Sequence, residues 1–313
     1  MLKQLGIEMI KLDLPFRLNH VNCFMSEGEN GWTIIDAGLN NAYTRGVWAE
    51  QTGDKEIKDL FITHYHPDHF GYAGGLQEIT KARVSMTQTD AEIGLKAWTD
   101  DYIGNLQNEY KTVGIPPEMA NQMINNTAEF KEYVTPYPTI NRYFEEGEKV
   151  PIGYYEYEVI FSPGHSEGMV CFYNAEKNVL LSADHILPRI TPNISYWFHG
   201  DANPLKSYMV SLESMKKLDA DYVIPSHGKP FHGANDRIDE LVVHHKERLE
   251  ETFASIATES TVYEVCNRLF RPGLTVHESR FAIGETLAHL EYLRHAGECQ
   301  RVARGVEWLY SKV

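Results

Sequence analysis

The seven residues from Thr63 to His69, Thr-His-Tyr-His-Pro-Asp-His, constrain this chain more than any other stretch. They place three imidazoles and a carboxylate within a few positions, a density that ordinary core packing does not require. Side chains two apart in an extended segment point the same way, so His64 and His66 can hold one metal ion. Asp68 and His69 follow where the chain turns and can face a second ion. The sequence therefore predicts a metal centre.

An apolar run precedes this cluster and a glycine-rich turn follows it. Residues 59–63 predict a short buried strand, and residues 71–76 predict a turn that leads into a helix. The cluster is therefore expected at the carboxyl end of a strand, where open α/β sheets place their ligand sites.

Three more candidate ligands each follow an apolar, strand-like run. His165 lies in Ser-Pro-Gly-His-Ser, Asp184 ends the run Val-Leu-Leu-Ser-Ala-Asp, and His227 follows Asp-Tyr-Val-Ile-Pro-Ser. This repetition is typical of a scaffold in which several strands present ligands along one edge. The set offers nitrogen and oxygen but no thiolate, which suits Zn²⁺, with iron or manganese as alternatives.

The order His-x-His-x-Asp-His, Pro-Gly-His, Ser-Ala-Asp and Ser-His-Gly resembles the metallo-β-lactamase-fold hydrolases over about residues 5–245. The resemblance implies an αββα sandwich that holds two divalent metal ions. The ligands that it implies are His64, His66 and His165 for the first ion, Asp68, His69 and His227 for the second, and Asp184 as the bridge. Asp36, in Ile-Ile-Asp-Ala-Gly, matches the family's first motif and is expected to orient the ligand loop through hydrogen bonds.

This ligand set predicts hydrolysis. Two ions about 3.5–4 Å apart can share a hydroxide, since metal binding lowers the pKa of water to about 7. We therefore expect a binuclear enzyme whose bridging hydroxide attacks the carbonyl of a small-molecule ester, thioester or lactone. Asp68 is expected to pass a proton to the leaving group. In the loop 189–199, Tyr196 or His199 is expected to donate a hydrogen bond to the developing oxyanion.

Residues 90–145 interrupt the alternation of strands and helices. They contain no candidate ligand and predict helices, one over about 91–110 and another from Pro116-Pro117 to about Tyr133. We expect a helical insertion in a catalytic domain of residues 1–245. The insertion either packs onto the body of that domain or covers the metals as a lid.

The tail, residues 246–313, predicts a separate unit of two helices and a hairpin that turns at Arg304-Gly305. This order resembles a winged helix, which occurs in the β-lactamase-like protein 2 type group of the same family, a group that includes a ribonuclease. A metal-dependent phosphodiesterase or endoribonuclease is therefore the first alternative function. A non-hydrolytic binding protein that retains the fold is the second.

Charge argues against nucleic acid as a partner. The net charge of the chain is −15, and residues 246–313 contain 9 Lys and Arg against 10 Asp and Glu. A nucleic-acid module should be clearly basic, because phosphate contacts supply most of the non-specific affinity. We therefore expect a small-molecule substrate. We interpret the winged unit as a packing or dimerisation element, which allows a homodimer.

Composition and the ends of the chain bear on its location. A hydrophobic content of 42% supports a core for one large domain and a small appendage. No apolar stretch is long enough to cross a bilayer, and the first residues lack the features of a signal peptide. The four scattered cysteines form no Cys-x-x-Cys motif and predict reduced thiols. These features predict a cytoplasmic protein with no membrane partner.

Overall fold

The computed structural model describes residues 1–313 and contains two six-stranded β-sheets and a hairpin. The strands of the first sheet, in spatial order, are β1 (Ile7–Asp13), β2 (His20–Gly28), β3 (Gly31–Ile35), β4 (Ile57–Phe61), β5 (Arg83–Met86) and β6 (Ile140–Tyr143). Those of the second sheet are β7 (Lys149–Ile152), β8 (Tyr155–Phe161), β9 (Val170–Asn174), β10 (Val179–Ala183), β11 (Tyr222–Pro225) and β12 (Phe231–His232). The hairpin consists of β13 (Cys299–Arg304) and β14 (Glu307–Lys312).

Eleven α-helices and one 3₁₀ turn, Phe130–Tyr133, accompany the strands. The helices are α1 (Leu2–Leu5), α2 (Ala42–Thr52), α3 (Pro67–Phe70), α4 (Ala73–Thr80), α5 (Gln88–Lys96), α6 (Asp100–Thr112), α7 (Pro117–Glu129), α8 (Pro204–Lys216), α9 (Ala234–Ser255), α10 (Val262–Leu269) and α11 (Val276–His295). Six of them begin after a Thr or Asn whose side chain accepts a backbone N–H, so their starts are encoded locally. These caps are Asn41, Thr87, Thr99, Asn203, Thr261 and Thr275.

Strand direction brings the carboxyl ends of several strands to the same edges. In the first sheet, β3, β4, β5 and β6 run parallel to one another. In the second sheet, β10 and β11 are parallel, whereas the other pairs are antiparallel. The loops that follow β4, β10 and β11 therefore begin at the carboxyl ends of parallel strands, where their polar side chains can come together.

Apolar side chains from both sheets form the central core. Phe61 and Phe172, whose ring centroids are 5.9 Å apart, belong to a buried cluster between the sheets. Full burial of one such side chain contributes about 1.5–3 kcal/mol. A second core packs α2, α4 and α5 on the first sheet, and a third packs α8 and α9 on the second. This helix–sheet–sheet–helix order confirms the predicted αββα sandwich.

The stretch predicted to be a helical insertion differs from the structure in two places. The predicted helix over 91–110 is two helices, because the Thr99 hydroxyl accepts the backbone N–H of Tyr102 and starts α6 as a new helix. Residues 140–143 lie inside the predicted insertion but outside its two predicted helices, and they form β6, which pairs with β5 and extends the first sheet. Within this stretch, helical structure therefore ends at Tyr133.

The C-terminal segment forms α10, α11 and the β13–β14 hairpin, the predicted order of elements. Its central helix, α11, has 12 of 20 residues buried. The core around α11 is shared with α6 and α7, since Leu106, Met123 and Leu287 belong to one apolar cluster. The boundary predicted at residue 245 falls inside α9, so the division into 1–245 and 246–313 stays a prediction, as does the winged-helix identity.

Two further observations complete the fold. All four cysteines are buried and unpaired. None of the helices combines the length and the apolar character that crossing a bilayer would require.

Candidate metal centre

The histidine-rich segment leaves β4 and enters α3 at Pro67. Proline disfavours a helical backbone in the residue before it, which accounts for the extended conformation of His66 (φ −63°, ψ 147°). Proline itself suits the first position of a helix, and Asp68 and His69 follow in α3. Pro67 therefore separates an extended part, which carries His64 and His66, from a helical part, which carries the other two side chains.

The other three candidate ligands lie in loops that follow strands. His165 comes after β8, Asp184 after β10 and His227 after β11. The residue before Asp184, Ala183, has a positive φ of 45°. Such a backbone angle is strained in a residue with a side chain and persists only where the surrounding structure imposes it. The turn out of β10 is therefore fixed at the point where the carboxylate emerges.

All seven predicted ligands lie in one cluster. Within each of three groups the candidate ligand atoms lie within 4.8 Å of one another: His64, His66 and His165; His64, His69 and Asp184; Asp68, His69 and His227. The Asp184 carboxylate connects the groups, since its Oδ2 lies 3.4 Å from His165 Nε2 and 3.2 Å from His227 Nε2. Asp184 therefore has the central position that a bridging ligand needs.

Hydrogen bonds at Nδ1 to groups outside the ligand set fix four of the five imidazoles, while Nδ1 of the fifth, His66, lies 2.9 Å from His165 Nε2. These bonds join His64 to Thr63 Oγ1, His69 to Asp36 Oδ2, His165 to the Asn193 carbonyl and His227 to the His20 carbonyl. The Nε2 atoms of His64, His69 and His227 are buried without a hydrogen-bond partner, and so is Oδ1 of Asp184. Orphaned buried polar atoms are rare, whereas a metal-binding imidazole has one nitrogen bonded and the other free for the ion. The cluster therefore fits divalent metal ions.

The five imidazoles divide into two electrostatic groups. Burial is the main cause that lowers the pKa of His64, His66 and His165, and neighbouring imidazoles lower it further. Neutral imidazole is the form that binds metal. Burial also lowers the pKa of His69 and His227, but the adjacent carboxylates outweigh it and raise the pKa, to about 10 for His227. A divalent ion would replace those protons as the positive charge beside the carboxylates.

Asp36 is fully buried just after β3 and has a positive φ of 61°. Its Oδ1 accepts the backbone N–H of Thr63 at 2.8 Å. Its Oδ2 accepts the Thr63 hydroxyl at 2.9 Å and Nδ1–H of His69 at 2.8 Å. Asp36 thus holds the histidine-rich segment at both ends and fixes which nitrogen of His69 is free.

A buried carboxylate that the sequence analysis missed, Asp90, connects two ligand loops. Its Oδ2 accepts the Tyr65 N–H at 3.2 Å and the Ser166 hydroxyl at 2.7 Å, and its Oδ1 accepts the Gly168 N–H at 2.6 Å. Burial raises the pKa of Asp90 to about 7, against the effect of these hydrogen bonds. The local sequence gives another explanation for Asp90, because Thr87 caps α5 through the Asp90 N–H.

A cavity of about 340 Å³ opens beside the cluster. His66, Asp68, His165 and Asp184 line one side of it, and most of the other lining residues are hydrophobic or aromatic. The helices of the insertion, the loop 189–199 and α11 supply those other walls. The cluster therefore faces a largely apolar space of the size that binds small molecules.

The two side chains predicted to contact an oxyanion, Tyr196 and His199, line this cavity but lie outside the ligand groups. The Tyr102 hydroxyl and Nδ1 of His199 share a hydrogen bond, and Nε2 of His199 is buried without a partner. Burial lowers the pKa of His199 to about 4, so the ring is neutral at neutral pH. The Tyr196 ring packs on Phe198 with centroids 5.7 Å apart. Their catalytic roles stay predictions.

The helix α11 forms part of the cavity wall, a contact that the sequence analysis did not predict. The His277 ring stacks on Phe130 with centroids 5.3 Å apart and planes inclined by 5°. A Cβ on Gly284 would lie 2.6 Å from Ser195 Oγ, and the Gly284 carbonyl accepts the N–H of Tyr196 at 3.0 Å. The C-terminal segment therefore completes the cavity. No sequence motif marks these contacts, because they join distant parts of the chain.

Two protein families match the chain. The family described as "Metallo-beta-lactamase superfamily" matches residues 17–227. The family described as "Metallo-beta-lactamase-like, C-terminal domain" matches residues 249–310. The first match includes all seven candidate ligands, and the second includes α11.

Curated relatives are similar over part or most of the chain. The acyl-coenzyme A thioesterase MBLAC2 of Gallus gallus is 27% identical over 224 residues, 68% of this chain and 74% of the relative. The beta-lactamase-like protein 2 homolog of Caenorhabditis elegans is 22% identical over 270 residues, 82% of this chain and 72% of the relative. Some relatives are longer, and the chain spans about half the length of lactamase-like proteins from Aspergillus species.

Two solved structures are similar over nearly the whole chain. A metallo-beta-lactamase family protein from Thermus thermophilus has a TM-score of 0.86 at 28% identity and covers 98% of this chain and 99% of its own. A beta-lactamase domain protein from Burkholderia ambifaria has a TM-score of 0.87 at 31% identity, covering 98% and 92%. Both similarities therefore extend over the C-terminal segment.

Proposed function

The chain belongs to the metallo-beta-lactamase superfamily, and we propose that it is a metal-dependent hydrolase that attacks the carbonyl of a small-molecule ester, thioester or lactone. One observation carries this proposal. The clustered ligands open onto a cavity of about 340 Å³ whose other walls are mainly apolar. Such a space suits an acyl or aryl group beside the reacting carbonyl.

The cofactor that we propose is a pair of divalent ions, with Zn²⁺ as the best match to nitrogen and oxygen ligands and iron or manganese as alternatives. The residues that would hold them are His64, His66 and His165 at one position, Asp68, His69 and His227 at the other, and Asp184 at both. When bound, such ions polarise a carbonyl and lower the pKa of water.

Asp68 is the residue that we propose for proton transfer. Its side chain is 19% exposed and borders the cavity, with Oδ2 lying 3.4 Å from His227 Nε2. Burial would raise the pKa of Asp68, but His69 and His227 lower it to about 2, so it is a carboxylate at neutral pH. It can therefore accept a proton from the attacking water and return it to the leaving group.

Two residues on the wall are candidates for contact with the substrate. His199 has a neutral ring whose Nδ1 is hydrogen-bonded to the Tyr102 hydroxyl. Its Nε2 has no hydrogen-bond partner. Tyr196 lies half-buried on the same cavity. Either side chain can donate a hydrogen bond to the charge that develops on the carbonyl oxygen.

The burial of α11 argues against the alternative of a nucleic-acid enzyme. In a helix-turn-helix or winged-helix reader, the recognition helix must be free to enter a groove. Here α11 is packed among α7, α8, α9 and α10, and it contributes to the cavity. The net charge of −15 points the same way. The observation that favours this alternative is the order of elements in the C-terminal segment, two helices and a hairpin.

The test compares substrates on protein of defined metal content. Aryl esters, acyl-coenzyme A thioesters and lactones form one panel, and a single-stranded RNA is the other substrate. We expect turnover of members of the panel, at least about 100-fold slower in Asp68→Ala. Asp221→Asn, which removes an exposed carboxylate paired with His232, is the matched control and should be as active as the wild type.

The outcomes separate the functions. Cleavage of RNA with an inert panel would overturn the proposal and assign the C-terminal segment to substrate binding. Failure to cleave either class by fully metal-loaded protein would leave the non-hydrolytic binding role as the better account.

A further inference from the structure

One wall of the cavity contains a buried cation, Arg280, on α11. Its side chain is surrounded by aromatic rings, since the guanidinium carbon lies 5.1 Å from the ring centroid of Phe281, 5.5 Å from that of Phe130 and 5.8 Å from that of Trp197. Arg280 is 8% exposed and lines the same cavity as the candidate ligands. The cavity wall therefore contains a buried charge apart from the metal cluster.

No carboxylate pairs with this arginine. Its side chain makes one hydrogen bond, from Nη1 to Thr127 Oγ1 at 3.2 Å, and its Nε is buried without a partner. The neighbouring acid on α11, Glu278, is engaged instead by Arg17 and by the cap at Thr275. Burial lowers the pKa of Arg280, and the groups that oppose this shift are tyrosine side chains.

A buried charge without a counter-ion is unfavourable, so natural proteins pair such groups or bind a ligand there. Arginine stays protonated in proteins and presents its N–H groups in a planar fork. In Arg280 the Nε edge of that fork is free, while Nη1 is taken by Thr127. Trp197, whose Nε1 is also a buried donor without a partner, lines the same cavity.

We propose that Arg280 determines specificity by binding a carboxylate on the substrate, so that the substrate is an ester, thioester or lactone with a second, anionic end. This inference rests on the proposed function and names the substrate class of the same site. The reacting carbonyl would lie at the ligand cluster, and the anionic end would lie at α11.

The surroundings favour a carboxylate over a larger anion. One guanidinium edge matches the two oxygens of a carboxylate in a bidentate pair. A dianion such as a phosphate monoester would leave one charge unpaired among Phe130, Phe281 and Trp197. The aromatic rings instead suit the apolar chain that would connect the two ends of a substrate.

The competing explanation is that Arg280 is only structural and attaches α11 to Phe130 and Trp197 through cation–π contacts. A structural role would affect all substrates equally. A carboxylate-binding role would affect only those that carry the anionic end. The test therefore needs pairs of substrates that differ in that group alone.

The substrates are mono-p-nitrophenyl esters of hexanedioic, heptanedioic and octanedioic acid, each paired with an ester in which an isopropyl group replaces the free carboxylate. We expect the metal-loaded wild type to prefer the anionic member by about 10- to 100-fold in kcat/KM. Arg280→Met should abolish this preference, so that the two members of each pair have the same kcat/KM. Arg280→Lys keeps the charge but loses the fork, and should lose part of the preference.

Arg17→Met is the matched control. Arg17 also lines the cavity, but its side chain is 76% exposed and already paired with Glu278. We expect the preference for the anionic ester to be unchanged in this variant. Equal turnover of both esters by the wild type, or a preference that survives in Arg280→Met, would overturn the proposal. If Arg280→Met does not fold, an unchanged preference in Arg280→Lys has the same meaning.

A binding measurement separates this inference from the proposed function. Calorimetry with hexanoate and 1-hexanol on the metal-loaded protein should show tighter binding of hexanoate, and Arg280→Met should weaken it by about 10- to 100-fold. If no ester is cleaved but hexanoate binding depends on Arg280, the hydrolase proposal fails and the anion site stands. Equal hexanoate binding by the wild type and Arg280→Met would mean that the carboxylate binds at the metals. That result would overturn the proposed anion site at Arg280.

Discussion

The ligand cluster and the opposite cavity wall are held together by different forces. In the cluster, hydrogen bonds at Nδ1 orient the imidazoles, as in the bond from His69 to Asp36 at 2.8 Å. On the wall, aromatic rings hold Arg280 by packing, and its one hydrogen-bond partner, Thr127, lies 153 positions away in the chain. The comparison shows that hydrogen-bonded loops orient the candidate ligands, whereas packing between distant elements shapes the cavity wall on which the proposed choice of substrate depends.

The largest expected effect comes from the centre of the cluster. Asp184→Asn replaces the carboxylate that lies within 3.4 Å of both His165 Nε2 and His227 Nε2. We expect the variant to bind at most one equivalent of metal and to lose at least about 100-fold in kcat. Elemental analysis after gel filtration, together with ester turnover, checks this. Two retained equivalents would show that Asp184 does not bridge.

The second prediction concerns the hydrogen bonds that Asp36 accepts from the histidine-rich segment, and it tests whether they contribute to metal affinity. Asp36→Ala removes the acceptor of three bonds, two from Thr63 and one from His69. Metal affinity should fall by about 10- to 100-fold, the usual effect of removing such a partner. Competition with a chelator of known affinity measures it. Unchanged affinity would mean that packing alone orients the imidazoles.

The third prediction concerns Asp90, which joins the loops of Tyr65 and Ser166. Asp90→Asn loses one acceptor oxygen, so the protein should be destabilised by about 1–3 kcal/mol. Burial raises the pKa of Asp90 to about 7, which is above its value in the unfolded chain. Protonated Asp90 therefore stabilises the folded wild type at low pH, and this contribution is lost as pH rises from about 4 to 7. The asparagine variant has no such titration.

The measurement for Asp90 is urea unfolding of both proteins between pH 4 and 8. The stability difference between the wild type and Asp90→Asn should be largest near pH 4 and should narrow through pH 7. A difference that widens as pH rises would show that the carboxylate is stabilised in its ionised form.

The two regions also differ in how far the sequence predicts them. The candidate ligands follow apolar strands, and Pro67 divides the first four of them between extended and helical backbone, so local signals place them at strand ends. Their convergence agrees with the family's motif order and with the clustered side chains in the structure. Asp90 was missed because its position as an N-terminal helix residue already had a local explanation.

The wall could not be predicted by the same reasoning. The sequence of α11 shows a helix with a capping box at Thr275, but nothing in it indicates which element covers it. The contact between His277 and Phe130 depends on where the insertion helices pack. The strand β6 was missed for the same reason, since the partner that makes Ile140–Tyr143 a strand is β5, more than fifty residues earlier.

The smallest expected effect tests whether the wall can change without the cluster. Gly284 lies in α11, and a Cβ there would be 2.6 Å from Ser195 Oγ, so Gly284→Ala must displace the loop 189–199 slightly. The gain in helix propensity of about 1 kcal/mol should be offset by this clash, so the net change in stability should be small.

For Gly284→Ala we therefore expect KM to rise by about 3- to 10-fold, with kcat and metal content close to those of the wild type. Gly46→Ala is the matched control, because Gly46 lies in α2 with no atom within 4 Å of the added Cβ, so that variant should be stabilised with unchanged KM. Loss of metal from Gly284→Ala would contradict the view that the cavity wall can change without the ligand cluster. His165 binds the Asn193 carbonyl in the displaced loop at 2.8 Å, so such a loss would mean that the loop transmits packing on α11 to the metal ligands.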